Sequence, residues 1–254
     1  GDYICNGAGT SSTCERDCGP PSPLPVQMFD CVNDMDFALT FDDVPRAHFA
    51  PIVLNLLRDY KIPATFFVMG SLVKRCPGLL RQIVAEGHEL GNHSYTHRNF
   101  ARLTIPEIRD ELDRTQDAVD KALGRHYPLT QIRPPYGAPW AGRWRERARV
   151  KVAQAIASRR GTCVLWNLGS SDTRPGCTPA KILAGLRTSL RRSRGGVLVF
   201  HPTQCSKRSL NAVMKLLREA NVKTRRTSEF LQSKYGLSLR ELGEFGHKRL
   251  VATL

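Results

Sequence analysis

The sequence contains no apolar segment long enough to cross a membrane. A membrane-spanning helix needs roughly 18 or more consecutive apolar residues, and no stretch of the chain approaches that length. The first ten residues, GDYICNGAGT, also lack the apolar core of a signal peptide. These absences exclude an integral helical membrane protein, so we expect a mature, soluble chain without a membrane span.

Several short motifs of known chemistry are also missing. None of the eight cysteines belongs to a Cys-x-x-Cys pair, which argues against a zinc ribbon and a thioredoxin-like motif. An even number of scattered cysteines is typical of exported proteins, because disulfides persist in oxidising compartments. We therefore expect disulfides, whose pairing stays open, and an extracellular or cell-wall location. The cysteines occupy positions 5, 14, 18, 31, 76, 163, 177 and 205.

Charge of one sign dominates the chain. The formal net charge is +15, with arginine-rich segments at 143–151, 187–194 and 223–226. Nucleic acid is the first partner to consider, but the chain has no zinc finger, helix-turn-helix or RNA-recognition signature. The basic residues fall on the outer faces of predicted helices, which favours solvated faces. Attraction to an anionic wall or polysaccharide is the alternative, and we expect no nucleic-acid partner.

Apolar patterning predicts an α/β fold. From residue 36 onward, short β-rich runs alternate with segments of helical period, as in a βα repeat with a parallel sheet or barrel. We divide the chain into a cysteine-containing lead-in (1–30), a main domain (31–235) and a C-terminal extension (236–254). The predicted strands are 36–41, 64–69, 88–92, 129–133, 162–167 and 197–201.

Three helices have clear boundary signals. Thr104 and Glu107 form a capping-box pattern ahead of an apolar stripe that Gly124 ends. A second helix should begin after Thr178, and a third should cover 209–220.

Polar residues follow four of the predicted strands, and in a βα architecture the carboxyl ends of the strands meet at one rim. Asp42 and Asp43 leave the first strand together. Two adjacent carboxylates repel each other unless a cation lies beside them, which suggests a metal ion. Asp also caps helices well, so a helix start is the alternative at this position.

The segment GNHSYTH places His93 and His97 four residues apart. On one side of a helical turn, this spacing suits a single zinc-like ion. No Glu follows His93, so the segment is not the His-Glu-x-x-His helix of a metalloprotease. Together with the Asp pair, the histidines favour a metal site over a chance surface pair.

Two further segments could complete a hydrolytic site. IRPPYGAP joins Arg133 to a stiff Pro-Pro-Tyr-Gly backbone that could aim an N–H into the site, although a plain turn uses the same residues. His201 follows the apolar run VLVF, where histidine could serve as an acid or merely line the rim.

Taken in order, TFDD, HSYTH, RPPYG, WNLGSSD and LVFH resemble the five motifs of the NodB-type polysaccharide deacetylases, carbohydrate esterase family 4. The resemblance runs from about Asp36 to Thr227. It implies a distorted (β/α) barrel, here stabilised by disulfides, with an open groove. It also implies one divalent metal ion, most often zinc with cobalt or nickel as alternatives, and removal of acetyl groups from a polysaccharide.

The resemblance also assigns roles to individual residues. It implies that Asp43, His93 and His97 bind the metal and that neighbouring Asp42 is the catalytic base. By the same resemblance, Arg133 would orient the base and Tyr136 would supply the N–H for the oxyanion. Trp166 would line the groove, and Leu198 would line its acetyl pocket. Asp172 would hold His201, which would be the general acid.

The chain departs from the family pattern in three places. Gly169 and Thr173 stand in the fourth motif where the family commonly has an acid and a tryptophan, and Val44 follows TFDD where glycine is common. The tryptophan that Thr173 replaces would form one aromatic wall of the groove, so its loss affects sugar specificity more than the hydrolytic chemistry.

The resemblance and the cysteine content favour N-deacetylation of chitin or its oligomers by a monomeric, secreted enzyme of the fungal type. Peptidoglycan deacetylation and acetylxylan esterase activity are the alternatives in the same class. A non-catalytic chitin-binding protein is the alternative from another class.

Overall fold

The computed structural model describes residues 26–27, 36–192 and 195–244. Within these residues, nine strands form one sheet in which every pair is parallel. The order is β1-β6-β5-β4-β3-β2-β8-β7, and β9 also pairs with β2. The strands are β1 Val26–Gln27, β2 Asp36–Val44, β3 Thr65–Val68, β4 Glu89–Asn92, β5 Gln131–Ile132, β6 Thr162–Val164, β7 Leu168–Gly169, β8 Gly196–Phe200 and β9 Lys223–Arg225.

This parallel half-barrel confirms the predicted α/β class and distorted barrel. All six predicted strands are present, with bounds that shift by a few residues. The sequence did not reveal β1, β7 and β9, because two or three residues are too few to show a strand period. The predicted lead-in lies outside the described residues except for β1.

Eight α-helices accompany the strands between residues 50 and 235, with short 3₁₀ turns at Phe100–Arg102 and Pro135–Gly137. Thr104 and Glu107 form the predicted capping box, and Gly124 ends that helix in a left-handed conformation. The third predicted helix begins earlier than expected, because Thr203 caps it. The helices are α1 Ala50–Tyr60, α2 Gly70–Arg75, α3 Pro77–Ala85, α4 Ile105–Leu123, α5 Glu146–Ala157, α6 Pro179–Arg191, α7 Gln204–Glu219 and α8 Thr227–Tyr235.

Strand β2 separates two apolar layers, because its side chains alternate between the faces of the sheet. Phe37, Leu39 and Phe41 belong to the large outer core with residues of α1 and α7. Ala38 belongs to the inner core with Phe67, Val164, Val197 and Leu242 among others. Leu242 comes from the segment predicted as an extension and is buried.

A disulfide joins Cys177 to Cys205 and confirms the predicted disulfide stabilisation in part. It ties the segment before α6 to the first turn of α7. Cys76 and Cys163 are free, and the other four cysteines lie outside the described residues. No helix in the described ranges is both long and apolar enough to span a bilayer.

Candidate metal and catalytic site

The polar residues at the carboxyl ends of β2, β4, β5 and β8 lie close together, as expected where parallel strands share one rim. His93 Nε2 lies 3.8 Å from Asp42 Oδ2 and 3.6 Å from Asp43 Oδ1. His97 Nε2 lies 3.1 Å from Asp43 Oδ1, and His201 Nε2 lies 4.0 Å from Asp42 Oδ2. Five residues from three separate segments of the chain therefore lie close together at the rim.

A local irregularity in β2 brings both aspartates to this point. In a regular strand, consecutive side chains point to opposite faces of the sheet. Here the pairing of β2 with β3 shifts register between Phe41 and Val44, and Asp43 has a φ of 57°. A bulge of this kind re-aims side chains, so neighbouring carboxylates can both reach the same site.

Asp43, His93 and His97 form a possible metal site. Their candidate ligand atoms all lie within 4.8 Å of one another. The Oδ1 atom of Asp43 is buried and has no hydrogen-bond donor among the described residues, although buried carboxylate oxygens are normally paired. Two imidazole nitrogens and one carboxylate oxygen suit a zinc-like ion with a position left for water or substrate. The residues present therefore fit the metal that the resemblance implies.

The two histidines meet through loop geometry, whereas the sequence predicted a helical turn. His93 directly follows β4, and the segment 93–99 is irregular. Ser94 and His97 have φ values of 67° and 64°. The Nδ1–H of His93 donates to the Arg133 carbonyl at 2.7 Å, because a carbonyl can only accept. Nε2 of His93 is thereby left free for the metal.

Arg133 and Asp42 form a buried ion pair, with Arg133 fully buried and Asp42 1% exposed. Arg133 Nη1 lies 2.7 Å from Asp42 Oδ1. Burial by itself would raise the pKa of Asp42, but Arg133, with His93 and His201, holds that pKa below its usual value. Asp42 is therefore ionised near neutral pH, and its Oδ2 faces the histidines.

Other contacts fix the Arg133 guanidinium in place. It also donates to Thr40 Oγ1 at 2.8 Å and to the carbonyls of Val164 and Leu165 at 2.9 and 3.1 Å. Its Cζ lies 3.8 Å from the centre of the Phe67 ring. Burial lowers the pKa of Arg133, which Asp42 partly offsets.

Asp172 and His201 make a second charged pair. The backbone N–H of His201 donates to Asp172 Oδ2 at 2.6 Å, and its Nδ1 lies 3.0 Å from Oδ1. Burial alone would lower the pKa of His201, but Asp172 and Asp42 raise it above its usual value. The hydroxyls of Ser170 and Ser206 also donate to Asp172. The sequence did not reveal either serine, because an isolated serine carries no recognisable pattern.

Tyr136 lies at the rim in a strained conformation. Its φ is 63°, its side chain is 61% exposed, and its ring centre lies 4.7 Å from that of His97. The adjacent Gly137 packs so closely that a Cβ there would lie 3.0 Å from Trp166. Trp166 is half-buried beside this loop.

Leu198 does not reach the site, which corrects the sequence expectation. It pairs with Leu39 in β2 and belongs to the outer core beneath the helices. The next residue, Val199, pairs with Thr40, whose hydroxyl accepts from Arg133. Because strand side chains alternate, Val199 lies on the inner face and Leu198 on the outer one.

Comparison with known proteins identifies the family to which this fold belongs. The family model described as polysaccharide deacetylase matches residues 30–155. A chitooligosaccharide deacetylase from Bradyrhizobium is 34% identical over 164 residues, which cover 64% of this chain and 68% of that protein. The chain therefore belongs to the polysaccharide deacetylase family, in its NodB-type branch, carbohydrate esterase family 4.

The matches to other relatives cover a smaller share of those proteins. A peptidoglycan-N-acetylglucosamine deacetylase from Bacillus cereus is 38% identical over 105 residues, which are 41% of this chain and 38% of that protein. The chain thus spans well under half of that relative.

Solved structures match more of the chain. A peptidoglycan N-acetylglucosamine deacetylase has a TM-score of 0.70 and 27% identity, covering 87% of this chain and 98% of the other. A pseudoenzyme of the same family from Bacillus anthracis has a TM-score of 0.65 and 27% identity, covering 78% and 66%.

The buried pair of Arg133 and Asp42 predicts a specific pattern of stability. Arg133→Met should lower the free energy of unfolding by about 3–5 kcal/mol, because it leaves a buried carboxylate without its cation. The double variant Arg133→Met/Asp42→Asn should lose less than Arg133→Met alone, because both charges are then gone. Urea unfolding of the metal-free proteins measures this. Additive losses from the two single variants would contradict the coupling.

Proposed function

We propose that this protein is a metal-dependent deacetylase that removes N-acetyl groups from N-acetylglucosamine units of chitin or chitin oligomers and releases acetate. The carrying observation is the position of Asp42. Its Oδ2 lies between His93 of the metal triad at 3.8 Å and His201 at 4.0 Å. One carboxylate thus adjoins both the metal ligands and the Asp172-paired histidine, which is an arrangement for hydrolysis.

Each half of the site has its own task. Bound by Asp43, His93 and His97, a divalent ion, for which we propose zinc, would supply Lewis-acid chemistry and acidify water. Asp42 accepts the proton of the attacking water through Oδ2, since Oδ1 is bonded to Arg133. Water oxygen adds to the acetyl carbon, and the carbon–nitrogen bond then breaks. His201 donates a proton from Nε2 to the leaving nitrogen, so that acetate and a free amine result.

Arg133 and Tyr136 support these steps. Arg133 holds Asp42 ionised and oriented, because burial alone would favour the neutral acid. The Tyr136 N–H stabilises the negative charge that develops on the acetyl oxygen. A donor of this kind is typically worth about 3–4 kcal/mol in the transition state.

The choice of substrate is supported by the relatives. The Bradyrhizobium protein, of which the chain covers two thirds, acts on chitooligosaccharides by name. Peptidoglycan is the second candidate, because the Bacillus cereus protein and the solved structure with the TM-score of 0.70 bear that substrate in their names. The Cys177–Cys205 disulfide supports our proposal that the protein acts outside the cell.

A non-catalytic carbohydrate-binding role is the alternative from another class, and the family does include a pseudoenzyme. The charge pairs of this chain argue against that role. Both the Asp42–Arg133 and Asp172–His201 pairs are largely buried. Burying charged groups costs desolvation free energy, and a role in binding carbohydrate alone would not require these two pairs.

The neighbouring aspartates should separate into two phenotypes. Asp43→Asn removes a proposed ligand, so metal content after gel filtration should fall together with turnover. Asp42→Asn should retain metal but lose at least about 100-fold in kcat, because it removes general-base catalysis. Metal analysis and acetate release measure both effects. Wild-type turnover in Asp42→Asn would overturn the mechanism.

Asp172→Asn should shift the basic limb of the kcat/KM profile to lower pH. His201 must be protonated to act as the acid, and its raised pKa keeps it protonated to a higher pH than an ordinary histidine in the wild type. Removing the Asp172 charge lowers that pKa, so activity is lost earlier as pH rises. The same change at exposed Asp59 should leave the limb in place. An unmoved limb in Asp172→Asn would exclude His201 as the acid.

Acetate release decides the substrate. We expect release from chitin oligomers by the metal-loaded protein, loss after chelation, and recovery when metal is returned. N-acetylated peptidoglycan and acetylxylan are measured side by side. Faster release from peptidoglycan would select the second candidate, and no release from any of the three would favour the binding protein.

A further inference from the structure

We propose that Glu111 of α4 is a positioning residue for the metal centre. It holds the loop between His93 and His97 in the conformation that brings His97 to Asp43, and it thereby sets the metal affinity. This inference rests on the proposed metal-dependent function, but it concerns a residue outside the five motifs.

Glu111 occupies a position where an apolar side chain is expected. The buried residues of α4 recur at helical spacing, and Glu111 lies on the same stripe. It is 2% exposed. A carboxylate in such a position is unfavourable unless its oxygens are hydrogen-bonded. The other buried residues of this stripe are Ile108, Leu112, Thr115, Val119 and Ala122.

Within the described residues, the Glu111 carboxylate accepts hydrogen bonds from the loop between the two histidines. Oε2 accepts from the backbone N–H groups of Tyr95 and Thr96, at 2.9 and 2.7 Å. Oε1 accepts from the Thr96 hydroxyl at 2.5 Å. One buried carboxylate thus binds two successive backbone donors and a side chain of the ligand-bearing loop.

This loop needs external support because its backbone is strained. Ser94 and His97 are both left-handed, and strained residues of this kind persist only where the surrounding structure enforces them. The carbonyls of Ser94 and Tyr95 accept from the N–H groups of Gly70 and Ser71, at 3.1 Å each. Helix α2 therefore binds the loop carbonyls, while Glu111 binds the N–H groups from α4.

The chemical consequence is specific to the metal. If the carboxylate is lost, Tyr95 and Thr96 lose their acceptors and the loop can relax towards ordinary backbone angles. His97 Nε2 would then leave the 3.1 Å distance to Asp43 Oδ1. His93 is anchored separately by the Arg133 carbonyl. Loss of Glu111 should therefore weaken the contribution of one ligand and leave the rest of the site in place.

The experiment measures Zn²⁺ dissociation constants of the full chain by chelator competition. Glu111→Gln should bind Zn²⁺ about 10–100-fold more weakly, as is typical when a residue that orients ligands is replaced. Thr96→Val should weaken binding less, because it removes one of three hydrogen bonds. Thr96→Ser, which keeps the hydroxyl, should recover most of the affinity. Exposed Asp117→Asn on the same helix is the matched control and should bind as the wild type does.

Two further readouts separate positioning from general stability. The visible spectrum of the Co²⁺-loaded Glu111→Gln protein should differ from that of the wild type, and activity should largely recover at saturating metal. If Glu111→Gln does not fold, the comparison of Thr96→Val with Thr96→Ser decides.

Three results would overturn the inference. They are wild-type Zn²⁺ affinity in Glu111→Gln, equal affinities in the two Thr96 variants, and a loss of thermal stability in the metal-free protein with no change in affinity. A wild-type chain that takes up neither Zn²⁺ nor Co²⁺ would instead contradict the proposed function itself.

Discussion

Arg133 donates to the Asp42 carboxylate, to the Thr40 hydroxyl and to two carbonyls of the β6 segment, all in the interior of the barrel. Its own carbonyl accepts from His93. One residue thus joins strands β2, β4, β5 and β6 at the rim, and both the charge of the proposed base and the orientation of one ligand depend on it. Because a buried guanidinium is costly without partners, this network can exist only as a whole.

Two adjacent carboxylates take different tasks because their surroundings differ. Asp42 is buried and neutralised by Arg133, whereas Asp43 is partly exposed and presents an oxygen without a hydrogen bond to the histidines. The bulge in β2 makes this division possible, since a regular strand would send one of the two side chains to the outer core. The proposed general acid is His201, and Asp172 keeps its pKa above the usual value.

Strained backbone is concentrated around this rim. Asp43, Ser94, His97, Tyr136 and Ser171 are all left-handed without being glycine. Residues of this kind persist where surrounding contacts over-determine them, and they often cluster at functional sites. Two of the surrounding contacts are the hydrogen bond from the Thr96 N–H to the Glu111 carboxylate and the hydrogen bond from the Ser170 hydroxyl to Asp172. A preorganised site is the expected product, because groups held in place need not reorganise during the reaction.

The sequence by itself determined the α/β class, six of the strands, the Thr104 cap and the placement of Asp42, His93, Arg133 and His201 at strand ends. These features follow from local periodicity and from the rule that parallel strands share one rim. Only the tertiary structure decided that His93 and His97 meet through a loop, that Leu198 faces the outer core, and that Glu111 and Ser206 support the site. Such features depend on bulges, positive φ angles and contacts between distant segments, and the spacing of residues along a chain does not encode them in a readable form.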